Sequence, residues 1–167
     1  VAAGVDVWED VDGNLGLPLG AGTFPQPQAT LDAARNSGVS AVKTSMGGFG
    51  GSFEQTVAEI AFYQRLVEAH PDYFMQVRNV DDFATAKRAR KLGIIFSFES
   101  VVALGEELDR IDLFRGLGVR VMQLSYNLPS PFGAGVLSPM DSGLTELGRQ
   151  AVTRMNEQGV AVDLSHS

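Results

Sequence analysis

The sequence lacks cysteine altogether, and it has only two histidines among 167 residues. The absence of cysteine excludes disulfide bonds, thiolate zinc sites and cysteine nucleophiles, so any metal must be held by carboxylate and imidazole groups. Basic residues are also few, because 13 Lys+Arg stand against 20 Asp+Glu, for a formal net charge of -7. An acidic chain of this kind is not expected to bind nucleic acid, whose phosphates require a basic surface.

Long apolar runs are also missing. No stretch approaches the roughly 18 consecutive apolar residues that a membrane-spanning helix needs, so we expect no membrane segment in this chain. The start of the sequence, at Val1, shows no signal-peptide pattern. With 44% hydrophobic and 20% charged residues, the composition predicts a soluble globular domain or part of one. It leaves cytoplasmic and exported locations equally open.

From about residue 31 to residue 167, β-prone runs alternate with segments of helical periodicity. One helix is predicted over 53–69, where Ser52 and Gln55 have the spacing of a capping box, and another over 145–158, ended by Gly159. Residues 1–30 read as a loop-rich N-terminal approach, with a turn around residues 10–14. Strands separated by helices of this length predict parallel βα units, in either an open doubly wound sheet or a (β/α)₈ barrel.

Distinctive polar residues follow several of the predicted strands. Glu99 comes after the apolar run Ile94–Phe98, Tyr126 and Asn127 follow a strand over 119–125, and His166 follows a strand over 160–165. The carboxyl ends of parallel strands meet at one face, where ligands and catalytic groups lie. A carboxylate and an imidazole at that face are suitable ligands for a metal such as zinc.

Each of these residues also has an ordinary structural interpretation. A single Glu after a strand is more often a solvated loop residue, and a single His is more often structural than a ligand. The shared placement of Glu99 and His166 at equivalent strand ends favours a site. His70, at the end of a predicted helix, is interpreted as a helix C-terminal residue.

Several segments resemble the M19 peptidases, the membrane or renal dipeptidase family. The most specific is NEQGVAVDLSH, which ends at His166. GVRVMQLSYN, which ends at Asn127, resembles another strand of that family, and GIIFSFES resembles the strand that carries its metal-bridging Glu. The resemblance extends from about residue 31 to residue 167.

The resemblance implies a (β/α)₈ barrel of the amidohydrolase type that holds two zinc ions and hydrolyses dipeptides with a bridging hydroxide. Glu99 then matches the carboxylate that bridges the two metals, and His166 matches a histidine ligand of one of them, so that both are catalytic. Tyr126 stands where family members have a substrate-contacting His or Tyr, and Asn127 is placed with it in substrate binding. The resemblance also suggests a homodimer.

A complete barrel takes about 250 residues, so we expect the 167 residues to be its N-terminal part and too incomplete for activity by themselves. No histidine precedes His70, and the His-x-Asp pair of the family's first strand therefore has no counterpart. That absence motivates an alternative, a catalytically incomplete barrel relative or fragment that acts as a binding or interaction unit. A third hypothesis is a related amidohydrolase acting on another amide or a β-lactam, since a fold does not determine its substrate.

Overall fold

Strands and helices alternate along the chain in the computed structural model, which describes residues 11–12, 25–48, 51–140 and 142–166. The strands are β1 (Val11–Asp12), β2 (Ala41–Lys43), β3 (Phe74–Val77), β4 (Leu92–Ile95), β5 (Ser97–Phe98), β6 (Val121–Gln123) and β7 (Ala161–Asp163). The helices are α1 (Gln28–Asn36), α2 (Phe53–Ala69), α3 (Val80–Arg88), α4 (Asp109–Gly116) and α5 (Glu146–Gln158), with a 3-10 turn at Val102–Leu104. Within these residues no helix has the length and apolar character to span a membrane.

The first of two structural units comprises Val1–Thr44 and Phe62–Ile95. Its four-stranded sheet has the order β1-β2-β4-β3, and every pairing is parallel. Gly93 lies in the central strand β4, where a Cβ atom would approach Val77 Cγ2 to 2.7 Å and Ala41 Cβ to 3.1 Å. Glycine therefore allows the neighbouring side chains to pack across β4.

The strand β1 corrects one expectation from the sequence. We expected a turn around residues 10–14, and the structure has Val11–Asp12 paired in parallel with Ala41 and Val42 of β2. The strand has only two residues, too short for the period-2 alternation that identifies a strand in a sequence. The rest of the predicted loop-rich approach, except for residues 25–27 and the start of α1, lies outside the described residues.

The second unit comprises Ser45–Ala61 and Phe96–Ser167. Its sheet has the order β5-β6-β7, again with parallel pairing. Met46 extends this sheet by a parallel bridge to Phe98. Phe98 is fully buried and meets Phe114 of α4 edge to face, with ring centroids 4.8 Å apart. The parallel α/β class predicted from the sequence is confirmed in both units.

Local capping determines where the two best-predicted helices begin and end. At α2, Ser52 Oγ accepts from the Gln55 N–H and the Gln55 side chain accepts from the Ser52 N–H, which is the predicted capping box. At α5, Thr145 caps the N-terminus and Gly159 ends the helix with φ of 64°. The left-handed conformation at Gly159 suits a residue without a Cβ atom, and β7 begins two residues later.

Candidate functional site at the strand ends of the second unit

Glu99 follows β5 directly and is held through its backbone. Its N–H donates to the Met46 carbonyl at 2.9 Å, and the Met46 N–H donates to the Ser97 carbonyl at 3.0 Å. The half-buried side chain lies against Gly48, where a Cβ atom would come within 3.5 Å of Glu99 Oε2. The segment Met46–Gly48 therefore flanks the carboxylate on one side.

A second carboxylate fixes that flanking segment. Glu59 of α2 accepts a hydrogen bond of 2.8 Å from the Gly47 N–H. Gly47 has φ of +67°, and a Cβ atom on it would lie 2.8 Å from the Ser100 carbonyl, so this position needs glycine for both conformation and space. Glu59 contributes to the surroundings of Glu99 without touching it through any of these bonds.

The chain after β6 is shaped by two serine hydroxyls. The Ser125 hydroxyl donates to the Gly133 carbonyl at 3.0 Å, and the Ser130 hydroxyl donates to the Leu124 carbonyl at 3.0 Å. The two hydroxyl oxygens are themselves 2.8 Å apart. These bonds fold residues 124–133 back on themselves, so that Tyr126 and Asn127 lie at the start of a closed loop rather than in an extended strand.

Gly135 packs directly beneath this loop. A Cβ atom at Gly135 would approach the Tyr126 carbonyl oxygen to 2.5 Å and the Leu128 carbonyl oxygen to 2.7 Å. Backbone atoms cannot move aside as a flexible side chain can, so only glycine fits here. The next residues hold the loop from the other side, since the Leu137 N–H donates to the Asn127 carbonyl at 2.8 Å.

His166 reaches the site through a turn that follows β7. Asp163, the last residue of β7, accepts a hydrogen bond of 2.9 Å from the Ser165 N–H, which is the side-chain to backbone contact of an Asx turn. His166 then adopts φ of 62°, a conformation uncommon for a residue other than glycine. Its carbonyl accepts from the Val136 N–H at 2.9 Å, so the turn is held at its end.

Three of the four site residues predicted from the sequence come into contact. The rings of Tyr126 and His166 have centroids 4.4 Å apart with 39° between their planes. His166 Nδ1 lies 3.2 Å from Asn127 Oδ1. Glu99 lies at the end of β5, the strand next to β6 in the sheet.

Sequence reasoning did not identify Glu59 or Gly135 as part of these surroundings. Glu59 lies at an exposed position of a helix, and nothing in the sequence distinguishes it from any other solvated glutamate on a helix. Gly135 lies in a loop rich in glycine and proline, so its residue type is not distinctive there. Its close approach to residues 126–128 is visible only in the tertiary structure. Asp163 carried the one usable signal, since an Asp at the end of a strand can accept a hydrogen bond from the backbone N–H two residues on, as in an Asx turn.

The donor chemistry at this end of the sheet suits zinc, while the number of donors falls short. Glu99 offers carboxylate oxygens and His166 an imidazole, both ordinary zinc ligands. In the tautomer that carries its proton on Nδ1, His166 donates to Asn127 and keeps the Nε2 lone pair for a metal. Across the described ranges of the chain, however, no group of three or more His, Cys, Asp or Glu residues is placed to hold a metal ion.

The fold is shared with the solved structures of an amidohydrolase and a metallo peptidase. An amidohydrolase from Pseudomonas aeruginosa is 29% identical with a TM-score of 0.76, over 84% of this chain and 43% of that chain. A metallo peptidase from Rhodobacter sphaeroides, solved with a phosphinate mimic of the dipeptide L-Ala-D-Ala, has the same fold at 21% identity and a TM-score of 0.70, over 89% of this chain and 51% of that chain.

The family follows from the sequence comparison. The family model for membrane dipeptidase, peptidase family M19, matches residues 23–167, and the chain belongs to this family. Among curated proteins, a dipeptidase named tcpJ from Claviceps purpurea is 30% identical over 117 residues. This match covers 69% of the present chain and 28% of that relative, so the chain spans less than a third of its length. The resemblance recognised in the sequence is thereby confirmed.

Proposed function

We propose that this chain is part of a zinc-dependent dipeptidase, in which it forms the N-terminal part of a (β/α)₈ barrel. Glu99 and His166 are its metal ligands in this chain, and Tyr126 and Asn127 contact the substrate. The observation that carries the proposal is the contact of His166 with Tyr126 and Asn127 at the strand ends of an M19 chain.

The contact between Asn127 and His166 supports the role of the histidine. Histidines that bind metals generally donate their other ring N–H to a fixed acceptor, which orients the ring and selects the tautomer. Asn127 Oδ1, at 3.2 Å from His166 Nδ1, is such an acceptor, and it leaves the Asn127 amide NH₂ group to donate to a substrate. The Tyr126 ring limits rotation of the imidazole from the other side.

Glu99 is suited to ligation because its backbone is fixed and its carboxylate is half-buried. In the proposed centre of two zinc ions, Glu99 would offer carboxylate oxygens and His166 an imidazole nitrogen as ligands. Zinc in a hydrolase supplies Lewis-acid polarisation of the peptide carbonyl and activates water near neutral pH. The residues of this chain then hold the substrate and orient the ligands.

Metal analysis and dipeptide hydrolysis by the full-length protein test the proposal. We expect bound zinc and turnover of simple dipeptides, and we expect Glu99→Ala and His166→Ala each to lower zinc affinity and activity by at least about 100-fold. His70→Ala is the matched control for the histidine and Glu106→Ala for the glutamate, because neither residue lies among the contacts described above.

Three results would contradict the proposal. Unchanged zinc content and unchanged hydrolysis after both site substitutions would remove Glu99 and His166 from the metal centre. A protein that ignores dipeptides and cleaves another amide or a β-lactam in the same assay would be an amidohydrolase of different specificity. A protein that binds no zinc and cleaves nothing would instead support the binding-unit alternative.

A further inference from the structure

A separate hollow of about 220 Å³ opens beside the candidate site. It lies between the chain that follows β5 and the chain that follows β6. Tyr126 and Asn127, which contact His166, form part of its wall, and Ser100, the residue after Glu99, forms another part. The hollow therefore begins at the two residues proposed to contact the substrate.

Apart from Ser130, the remaining wall is apolar. Val102 of the 3-10 turn lies on one side, and Leu128, Pro129 and Pro131 lie on the other. Among the described residues that line the hollow, none carries a charge. A charged group entering it would lose water without gaining a charged partner, which is costly, whereas an apolar group would gain from the area removed from water.

Two of the polar groups in this wall, the Ser130 hydroxyl and the Asn127 side-chain oxygen, are engaged within the protein. The Ser130 hydroxyl donates to the Leu124 carbonyl and accepts from the Phe132 N–H at 3.1 Å. The Asn127 side-chain oxygen is 3.2 Å from His166 Nδ1. These bonds direct the Ser130 hydroxyl toward the loop and the Asn127 oxygen toward His166, and the apolar side chains of Val102 and Leu128 and the two prolines remain to face a bound group.

We infer that this hollow is a specificity pocket that takes one uncharged, apolar side chain of the substrate. The inference rests on the proposed function and adds the substrate class. At about 220 Å³ the pocket is smaller than the roughly 300–1,000 Å³ typical of sites that enclose a whole small molecule. It is therefore suited to a single side chain, while the peptide bond lies toward Glu99 and His166.

Leu128 is the residue to alter, because it is 58% exposed and its substitution should leave folding almost unchanged. Leu128→Asp places a carboxylate at the pocket wall. We expect kcat/KM for a dipeptide with a leucine side chain to fall about tenfold or more, mainly through KM, because binding of an apolar group is lost. Hydrolysis of Gly-Gly, which has no side chain to place there, should change by less than about twofold.

The assay uses the full-length protein with Leu-Gly, Gly-Leu and Gly-Gly, so that the side chain is presented on either side of the scissile bond. Leu113→Asp is the matched control, because Leu113 is also a largely exposed leucine, at 45%, but lies on α4 and does not line the hollow. It should leave all three substrates unaffected. Equal losses for Gly-Gly and the leucine dipeptides in Leu128→Asp, or no loss for either, would overturn the inference.

A binding measurement separates failure of the pocket from failure of the proposed activity. Saturation-transfer NMR with N-acetyl-leucinamide and N-acetylglycinamide needs no turnover. We expect the leucinamide to bind the wild type, the glycinamide to bind far more weakly, and Leu128→Asp to abolish the difference. If the wild type hydrolyses no dipeptide yet shows this pattern, the proposed function is wrong and the pocket stands. Indistinguishable binding of the two amides to the wild type would refute the pocket whatever the activity.

Discussion

The Glu59 carboxylate and the Gly47 N–H form a hydrogen bond of 2.8 Å that ties α2 to the segment flanking Glu99. Gly47 cannot be replaced without meeting the Ser100 carbonyl, and a Cβ atom at Gly48 would come within 3.5 Å of Glu99 Oε2. The bond between Glu59 and Gly47 therefore restricts movement of the backbone segment that lies beside the Glu99 carboxylate. Glu59 is a positioning residue under the proposed function, since it acts on Glu99 only through this segment.

Replacing Glu59 by alanine should lower zinc affinity by about 10–100-fold, the usual effect of losing a residue that orients a ligand. Glu59→Gln keeps a side-chain oxygen that can accept from Gly47 and should restore most of the affinity. Competition with a chromophoric chelator measures the affinity, and thermal unfolding of the same variants reports any general loss of stability. Glu68→Ala, on the same helix, is the control. Equal affinities for the alanine variant and the wild type would show that the bond does not position Glu99.

Gly135 offers a second test, directed at Tyr126 and Asn127. In Gly135→Ala the new methyl group would meet carbonyl oxygens at 2.5 Å and 2.7 Å, so the loop must move. We expect a loss of about 1–3 kcal/mol in the free energy of unfolding, the range of substitutions that force backbone shifts in packed regions. The movement should also weaken the contact of Asn127 with His166.

Denaturant unfolding measures the stability of Gly135→Ala, and NMR chemical shifts of the His166 ring report its surroundings. Gly116→Ala is the control, because a Cβ atom at Gly116 meets nothing within 4 Å. In the helix α4 that substitution should leave stability unchanged or raise it by up to about 1 kcal/mol. Should the two variants prove equally stable, with an unaltered His166 ring, the close approach at Gly135 would be disproved.

Glu146 in the first turn of α5 provides a prediction on pH. Hydrogen bonds from Arg149 and, to a lesser degree, Gln150 lower the pKa of Glu146 from its ordinary 4.5. The folded protein thus favours the ionised Glu146 carboxylate. The resulting stabilisation of the folded state is fully present above pH 4.5, and it is lost as the pH falls below that value through the folded pKa. Its size is that of an exposed pair and is small.

Carbon-detected NMR titration of the Glu146 carboxyl group gives its midpoint directly. We expect a midpoint below 4.5 in the wild type, a return toward that value in Arg149→Ala, and a smaller return in Gln150→Ala. The Arg149 variant should have the larger effect because the hydrogen bond from Arg149 lowers the pKa of Glu146 more than the hydrogen bond from Gln150 does. A midpoint that does not respond to Arg149→Ala would show that this arginine does not hold the carboxylate in solution.

Features encoded within a few neighbouring residues were predictable from the sequence. The predicted helices over 53–69 and 145–158 match α2 and α5 to within one residue. Capping and helical periodicity both depend on residues only a few positions apart in the sequence. The strands were predicted less well at their ends. Residues 119–125 and 160–165 were expected as strands, and only Val121–Gln123 and Ala161–Asp163 are paired. An apolar run shows β-propensity, while pairing depends on a neighbour distant in sequence.

The apolar run Ile94–Phe98 shows the same limit more clearly. It was predicted as one strand, and the structure divides it into β4, paired with β2 and β3, and β5, paired with β6. The residue between them, Phe96, is fully buried, and nothing in its side chain marks an interruption. The change of partners comes from sheet pairing, which a uniform apolar sequence cannot specify.

The sequence by itself determined the parallel α/β class, the M19 family and the placement of Glu99, Tyr126, Asn127 and His166 after strands. The alternation of strands with helices and the short motifs depend only on residues that are close together in the chain. The tertiary structure decided which of these residues meet. The Asx turn at Asp163 directs His166 onto Tyr126 and Asn127. Contacts of this kind join residues about 40 positions apart, and only the packing of the strand ends brings them together.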